Sequence, residues 1–337
     1  MTLREAIAAV AGGRSLTELE MAEVVDALVA GDVTPAQIGG LLMALRMKGE
    51  SVDEICGAAR TLRRHAIPVR TPPGMVVDTC GTGGDGQGTF NVSTAAALIT
   101  AAAGVRVAKH GNRAMSGTVG AADVLEALGA RLEAPVEVLE RQLADAGIAF
   151  LFAPRLHPAM ARVAHVRREL GVRTIFNLVG PLANPAGVRH QVVGVWARRW
   201  VRPMAEALSR LGSVRALVVH GRDGLDEITL TDATDTAEVR DGSVVEGSVR
   251  PEDLGLPRCD PAALRVAGVA EAAAAIRAVL AGEAGPRRDV ALANAAAALY
   301  VAGRCDTLRA GVTLAADAVD SGRARGVLAE LVRASVP

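Results

Sequence analysis

The chain lacks a surplus of charge: Lys plus Arg and Asp plus Glu each total 37 in 337 residues. No net field draws it to nucleic acid or to an anionic membrane, so any anion site has to be built locally. It is poor in cysteine as well. Cys56, Cys80, Cys259 and Cys305 are scattered, with no C-x-x-C and no histidine at metal-ligand spacing, which argues against a zinc module and for reduced thiols. No uninterrupted apolar run reaches the roughly 20 residues of a membrane span. The opening MTLREAIAAVAGGRSLTELE carries charges inside its apolar stretch, unlike a secretory signal. These absences lead to the expectation of a soluble, cytoplasmic protein with neither nucleic acid nor membrane as partner.

What is present is ordinary globular material, 50% hydrophobic and 22% charged, long enough for one large domain or two unequal ones. Over 3–66 the apolar residues recur at helical spacing, as in Met21, Val24, Val25 and Leu28, then Ile38, Leu41, Leu42 and Leu45. Thr34 is placed to cap a helix, with Pro35 at its first position and Gly49 at its stop. Prolines between Pro68 and Pro73 then make a linker. Beyond it strands are expected over 75–79, 105–108, 148–152, 191–195 and 216–219, interleaved with helices over 93–103 and 120–128. That alternation argues for a parallel α/β sheet. The region 237–255 is polar and turn-rich and reads as a peripheral excursion. The C-terminal DVALANAAAALYVAG and TLRAGVTLAADAVDSG read as helices.

The stretch CGTGGDGQGTFNVSTA, from Cys80 to Ala95, follows the first expected strand. Gly81, Gly83 and Gly86 meet the G-x-G-x-x-G spacing of a dinucleotide turn, and a helix offered by Ser93 or Thr94 follows. Backbone N–H groups and a helix N-terminus cradle phosphate. A dinucleotide site also needs an acidic residue about 20 positions on, where this chain delivers Lys109. A phosphorylated sugar or nucleotide with several anionic groups is favoured over a dinucleotide or a purely structural glycine turn.

Three further stretches carry chemistry. KHGNRAMSGTVGAAD reads as a strand-to-helix loop with Lys109 to neutralise phosphate, Asn112 to hydrogen-bond, and His110 either to move a proton or to position its neighbours. HGRDGLDEITL sets Asp226 beside Glu227, either a solvated acidic turn or a pair held by a divalent ion, since Mg²⁺ characteristically joins carboxylates to substrate phosphates. In LHPAMARVAHVRRELGVRTIFNLVGPLANP, Arg162, Arg167 and Arg168 are either solvated or available for a carboxylate, Arg167 together with His157. Pro181 and Pro185 make a rigid exit or hinge.

Taken in order, GTGGD, NVST, KHGN, the arginine segment and the Asp-Glu pair resemble the anthranilate phosphoribosyltransferase family of tryptophan biosynthesis. The likeness runs from TPAQIGGLLMALRMKGE to NAAAALYVAG. It implies transfer of phosphoribose from 5-phosphoribosyl 1-diphosphate to the amino group of anthranilate, with two Mg²⁺ ions per active site and a homodimer. It also implies a small all-helical domain plus a larger α/β domain with a mainly parallel central sheet, as in the class II nucleoside phosphorylase fold. The helical domain would hold 1–66, joined by about 158–185, and the α/β domain 74–157 and 186–337. The donor would be bound by Gly81, Thr82, Gly83, Gly84, Asp85, Thr89, Asn91, Ser93, Thr94, Lys109 and Ser116. Anthranilate would meet Gly81, His110, Asn112, His157 and Arg167, and the metal Ser93, Asp226 and Glu227. No residue is implied as a proton-transfer catalyst, because the aromatic amine is already neutral.

One departure stands out. After Asn112 the family's loop is rich in serine, whereas here it reads RAMSGTVGAAD, with Ser116 and Thr118 the remaining hydroxyls. Weaker side-chain contact to the diphosphate is expected there, offset by backbone N–H groups. A pyrimidine nucleoside phosphorylase shares the architecture but would not need the Asp-Glu pair. A silent relative binding nucleic acid or protein would be expected to lose that pair or gain a basic face.

Overall fold

The computed structural model describes residues 1–31, 33–114 and 119–335. Its first four helices are α1 (Leu3–Ala11), α2 (Glu18–Ala30), α3 (Pro35–Lys48) and α4 (Val52–His65). All four start alike: Thr2, Thr17, Thr34 and Ser51 accept the amide three residues on, and Glu5, Glu20, Gln37 and Glu54 reach back to the cap. Each box satisfies amides that a helix start otherwise leaves unpaired. The expected cap at Thr34, proline at Pro35 and stop at Gly49 are all found. The apolar positions picked out by spacing on α2 and α3 are the buried ones.

Further along come β1 (Val76–Asp78), α5 (Val92–Ala102), β2 (Arg106–Gly111), α6 (Ala121–Leu128), α7 (Val136–Asp145) and β3 (Ile148–Phe152). Next are α8 (Ala153–Leu156), α9 (Ala161–Leu170), α10 (Ile175–Val179), β4 (His190–Gly194), α11 (Val201–Arg210) and β5 (Arg215–Gly221). Last come β6 (Thr234–Arg240), β7 (Ser243–Val249), α12 (Pro251–Leu254), α13 (Val269–Leu280), α14 (Pro286–Val301), α15 (Leu308–Asp320) and α16 (Arg323–Ala334).

One seven-stranded sheet has the order β3-β2-β1-β4-β5-β6-β7. The pairs from β3 through β5 are parallel, and β6 and β7 add on antiparallel. The expected excursion over 237–255 is therefore largely sheet. Its polarity had concealed this: β7 is an edge strand exposed along most of its length, and an edge strand does not need an apolar face. β6 does bury Ala237 and Val239.

Side chains alternate across the sheet and feed three cores, the smallest holding Val76, Ala108, Ala149 and Leu151 with α7. Val192, Leu217 and Val219 join α5 and α13 to α16. Val193, Val195, Ala216 and Val218 join α1 to α4, α9, α10 and α11. No described helix is long and apolar enough to cross a membrane. Chain order runs outward in both directions from β1 and β4, so the switch point of the parallel sheet lies between them. Open α/β sheets bind ligands beyond the carboxyl ends of strands at such a point.

Candidate active site

The glycine loop leaves β1 at this switch point. Gly83, Gly84, Gly86 and Gly88 have φ of 64°, 73°, 76° and 67°, a left-handed run that side-chain-bearing residues resist. Thr82 docks the loop on the end of β4: its N–H donates to Gly194 O at 2.8 Å and its hydroxyl accepts from the Trp196 N–H at 3.2 Å. The helix after the loop starts at Val92 with Asn91 at the cap, slightly ahead of the expected start at Ser93 or Thr94. Ser93 thus lies in the first turn with its amide free to meet an anion.

Glu227 meets that amide. Its Oε1 accepts from the Ser93 N–H at 3.1 Å, and Asp226 Oδ2 accepts from the Gly83 N–H at 2.7 Å. The acidic loop is pinned from three sides. Asp223 accepts from the Leu225 N–H and from Thr229 and Thr231 hydroxyls. Gln87 of the glycine loop donates to Asp223 O at 3.2 Å. Asn294 on α14 clamps Ile228, accepting its N–H and donating to its carbonyl, each at 2.9 Å.

Lys109 was expected in a loop but lies inside β2, almost fully buried. The strand runs on to Gly111 because β3 pairs with it along its length. Its ammonium donates to Thr79 O at 3.0 Å and to Ser93 Oγ at 3.2 Å, beneath the first turn of α5. Burial first, then the nearby Asp85, pushes the Asp226 carboxyl well above the carboxylate range. Burial and Asp226 do the same to Glu227.

No three described His, Cys, Asp or Glu side chains converge into a protein-only metal cage. Mg²⁺ does not need one, taking one or two carboxylates with the rest from waters and substrate phosphates. Two adjacent half-buried carboxyls, Asp226 raising the proton affinity of Glu227 and Asp85 that of Asp226, form a donor set that a dication relieves. Asp226 and Glu227 therefore fit Mg²⁺, with Asp85 nearby and Ser93 Oγ within reach of Lys109.

The other wall is aromatic and basic. His110 donates its Nδ1–H to Gly180 O at 3.1 Å, which leaves Nε2 as the acceptor nitrogen, and Nε2 has no partner among the described residues. Its ring lies 5.2 Å from that of His157. Burial pulls His110 down to about 3 and His157 to about 4, so both are neutral at pH 7. Arg167 donates to Asn177 Oδ1 at 3.2 Å and sits 5.8 Å from the Phe176 ring centre. Burial lowers it to about 10, which still leaves it cationic at pH 7. Arg162 is used otherwise, donating to Ala30 O.

Between the walls is one cavity of about 760 Å³. Gly81 to Asp85, Thr89, Asn91, Ser93, Lys109, His110, Asn112, His157, Arg167, Asp226 and Glu227 all line it. Thr94 does not line it; it is buried behind the first turn of α5, because successive helical residues point about 100° apart. Ser116 and Thr118 lie outside the described residues. Arg46 and Arg173 also line the cavity and were missed in the sequence. Both sit among many arginines, and no spacing rule separates them.

Residues 4–66 match the helical bundle domain of a glycosyl transferase family and residues 73–325 its a/b domain. The chain is a glycosyl transferase of that two-part class. Anthranilate phosphoribosyltransferase of Anaeromyxobacter sp. (strain K) is 56% identical over 333 residues, 99% of this chain and 98% of the relative. That of Rhodospirillum rubrum is 54% identical over 97% of this chain and 94% of the relative. Among solved structures, the enzyme of Thermus thermophilus superposes with a TM-score of 0.92 at 46% identity, covering 98% of this chain and 99% of that one. The Saccharomyces cerevisiae enzyme in complex with PRPP and Mg gives 0.89 at 26% identity, covering 99% and 97%. The chain belongs to the anthranilate phosphoribosyltransferase family.

Proposed function

We infer that the cavity transfers the 5-phosphoribosyl group from 5-phosphoribosyl 1-diphosphate to the amine of anthranilate, releasing diphosphate, in tryptophan biosynthesis. The observation that carries this is the meeting of the glycine loop, the α5 N-terminus, Lys109 and the Asp226–Glu227 pair on one side of a cavity whose other side holds a half-buried arginine and two neutral histidines. The first side suits a polyphosphate with its metal, and the second suits an aromatic carboxylate.

The glycine-loop amides and Lys109 hold the diphosphate, and Asn91 and Ser93 hold the phosphoribosyl part. Arg167 pairs with the anthranilate carboxylate, His157 lies beside it, and Asn112 and His110 face the amine and ring. Mg²⁺ held by Asp226 and Glu227, two ions in our reading, would stabilise charge on the leaving diphosphate. The bond from ribose C1 to diphosphate breaks with its electron pair going to the diphosphate, the amine nitrogen forms the new bond to C1, and the proton this nitrogen then sheds goes to solvent or to the departing diphosphate. The amine reacts neutral, so a strong base is unnecessary. Positioning and charge stabilisation carry the rate.

A division into 1–66 with 158–185 and 74–157 with 186–337 is supported by the packing of α9 and α10 against the N-terminal helices. A homodimer through the helical part accords with Leu19 and Met47 standing 71% and 83% exposed there; sedimentation tests it. Four free cysteines accord with a cytoplasmic location.

The direct test mixes the protein, Mg²⁺, the phosphoribosyl donor and anthranilate, and follows anthranilate fluorescence. Loss of fluorescence that needs Mg²⁺ is expected. A folded protein that gives none defeats the reading, and loss that persists in a D226A/E227A double variant defeats the metal assignment.

A further inference from the structure

Arg173 lies between α9 and α10 and lines the cavity. Among the described residues its guanidinium joins no ion pair and donates no hydrogen bond, unlike Arg167 a turn and a half earlier. It is nevertheless held in place. Its backbone carbonyl accepts from Arg46 Nη1 at 2.7 Å, and its guanidinium carbon lies 5.1 Å from the centre of the Trp196 ring. Trp196 is itself fixed to the glycine loop, since its N–H donates to Thr82 Oγ1 at 3.2 Å. The platform under Arg173 therefore moves with the loop that faces the diphosphate.

The charges around Arg173 agree with this placement. Asp85, within the glycine loop, and Asp226 are the carboxylates near enough to favour its cation, while burial, Arg46 and Arg199 oppose it. A guanidinium stacked on an aromatic face keeps its N–H edge open for acceptors lying in its plane, and that edge matches phosphate oxygens two at a time. Lys109, by contrast, is a point charge at the buried end of the cavity, already shared with Thr79 and Ser93.

We propose that Arg173 is a second cation for the diphosphate, gripping it from the rim of the cavity while Lys109 neutralises it from below. The role rests on the functional reading above. Arg173 partly offsets Asp85 and Asp226. With Asp226 and Glu227 holding Mg²⁺, the guanidinium would be left to the diphosphate of the donor and of the departing product. A mere brace on Trp196 would not separate lysine from glutamine at this position, whereas a cation for the diphosphate does.

The test compares wild type, R173Q and R173K by calorimetric titration with inorganic diphosphate plus Mg²⁺, and by the Michaelis constants for both substrates. R173Q is expected to weaken diphosphate binding and raise the donor Michaelis constant about 10- to 100-fold, as for loss of a charged bidentate contact. The anthranilate constant stays within about twofold, and R173K recovers part of the loss. Being half-exposed, the site leaves the melting temperature of R173Q near wild type; if it drops, R173K carries the same comparison. Wild-type diphosphate affinity in R173Q, or an equal loss for both substrates, overturns the proposal. Wild type that fails to turn over the two substrates overturns the functional reading instead.

Discussion

His110 and His157 are two imidazoles in contact, both buried and both kept neutral. A histidine whose folded pKa is depressed takes up no proton while the unfolded chain does, so stability is lost as pH falls below the unfolded value of about 6.5. The window reaches down to the folded values of about 3 and about 4. Each ring contributes a slope of up to about 1.4 kcal/mol per pH unit there. The raised Asp226 and Glu227 carboxyls give a slope of the opposite sign, so the histidine contribution is read by difference: in urea unfolding between pH 7 and pH 5, H110N and H157N should each lose less stability on acidification than wild type, and a slope equal to wild type refutes the depressed values. The sequence named both residues as site residues. It could not give their protonation, which depends on burial and on the Gly180 carbonyl 70 positions away that fixes the tautomer of His110.

At the scale of elements, the acidic loop is placed by its neighbours. A Cβ on Gly194 would lie 1.6 Å from Asp226 O, so the end of β4 and the acidic loop approach closer than any side chain permits. G194A should push Asp226 aside and cut kcat/KM by roughly 100-fold, the order expected of a displacement of about 1 Å in a catalytic constellation; near-wild-type turnover would show that the loop adapts. Asn294 acts on the same loop from α14. N294L leaves the Ile228 N–H and carbonyl buried without partners, at about 1–3 kcal/mol each. Urea melts should report that loss together with a raised donor Michaelis constant, and an unshifted midpoint would argue against the clamp. The NAAAALYVAG stretch reads correctly as helix, but nothing in its spacing reveals that its first residue reaches Ile228. The β6–β7 hairpin escaped notice for a related reason: an edge strand is defined by its partner, and β7 shows little period of its own.

For the whole molecule, the cavity has one wall from the α/β sheet and another from α9, α10 and the segment between them, so ligand that bridges the walls binds the folded chain alone. Mg²⁺ with diphosphate at a hundred times its dissociation constant should stabilise the protein by about 2.7 kcal/mol, a rise of a few degrees in melting temperature. Diphosphate without Mg²⁺ should do much less, as should the pair added to D226N; an equal rise in all three would remove the metal from the diphosphate site. The helical opening, the alternation of strands and helices, the glycine loop and the ordered motifs were legible in the sequence because each rests on local chemistry: caps, periodicity, and glycines where the backbone turns left-handed. The tertiary structure alone decided that Lys109 sits in a strand beneath α5, that Thr94 faces away from the cavity, and that an arginine stacked on Trp196 joins the site. Those outcomes turn on which strands pair and which side chains lose water, and both are settled between residues far apart in the chain.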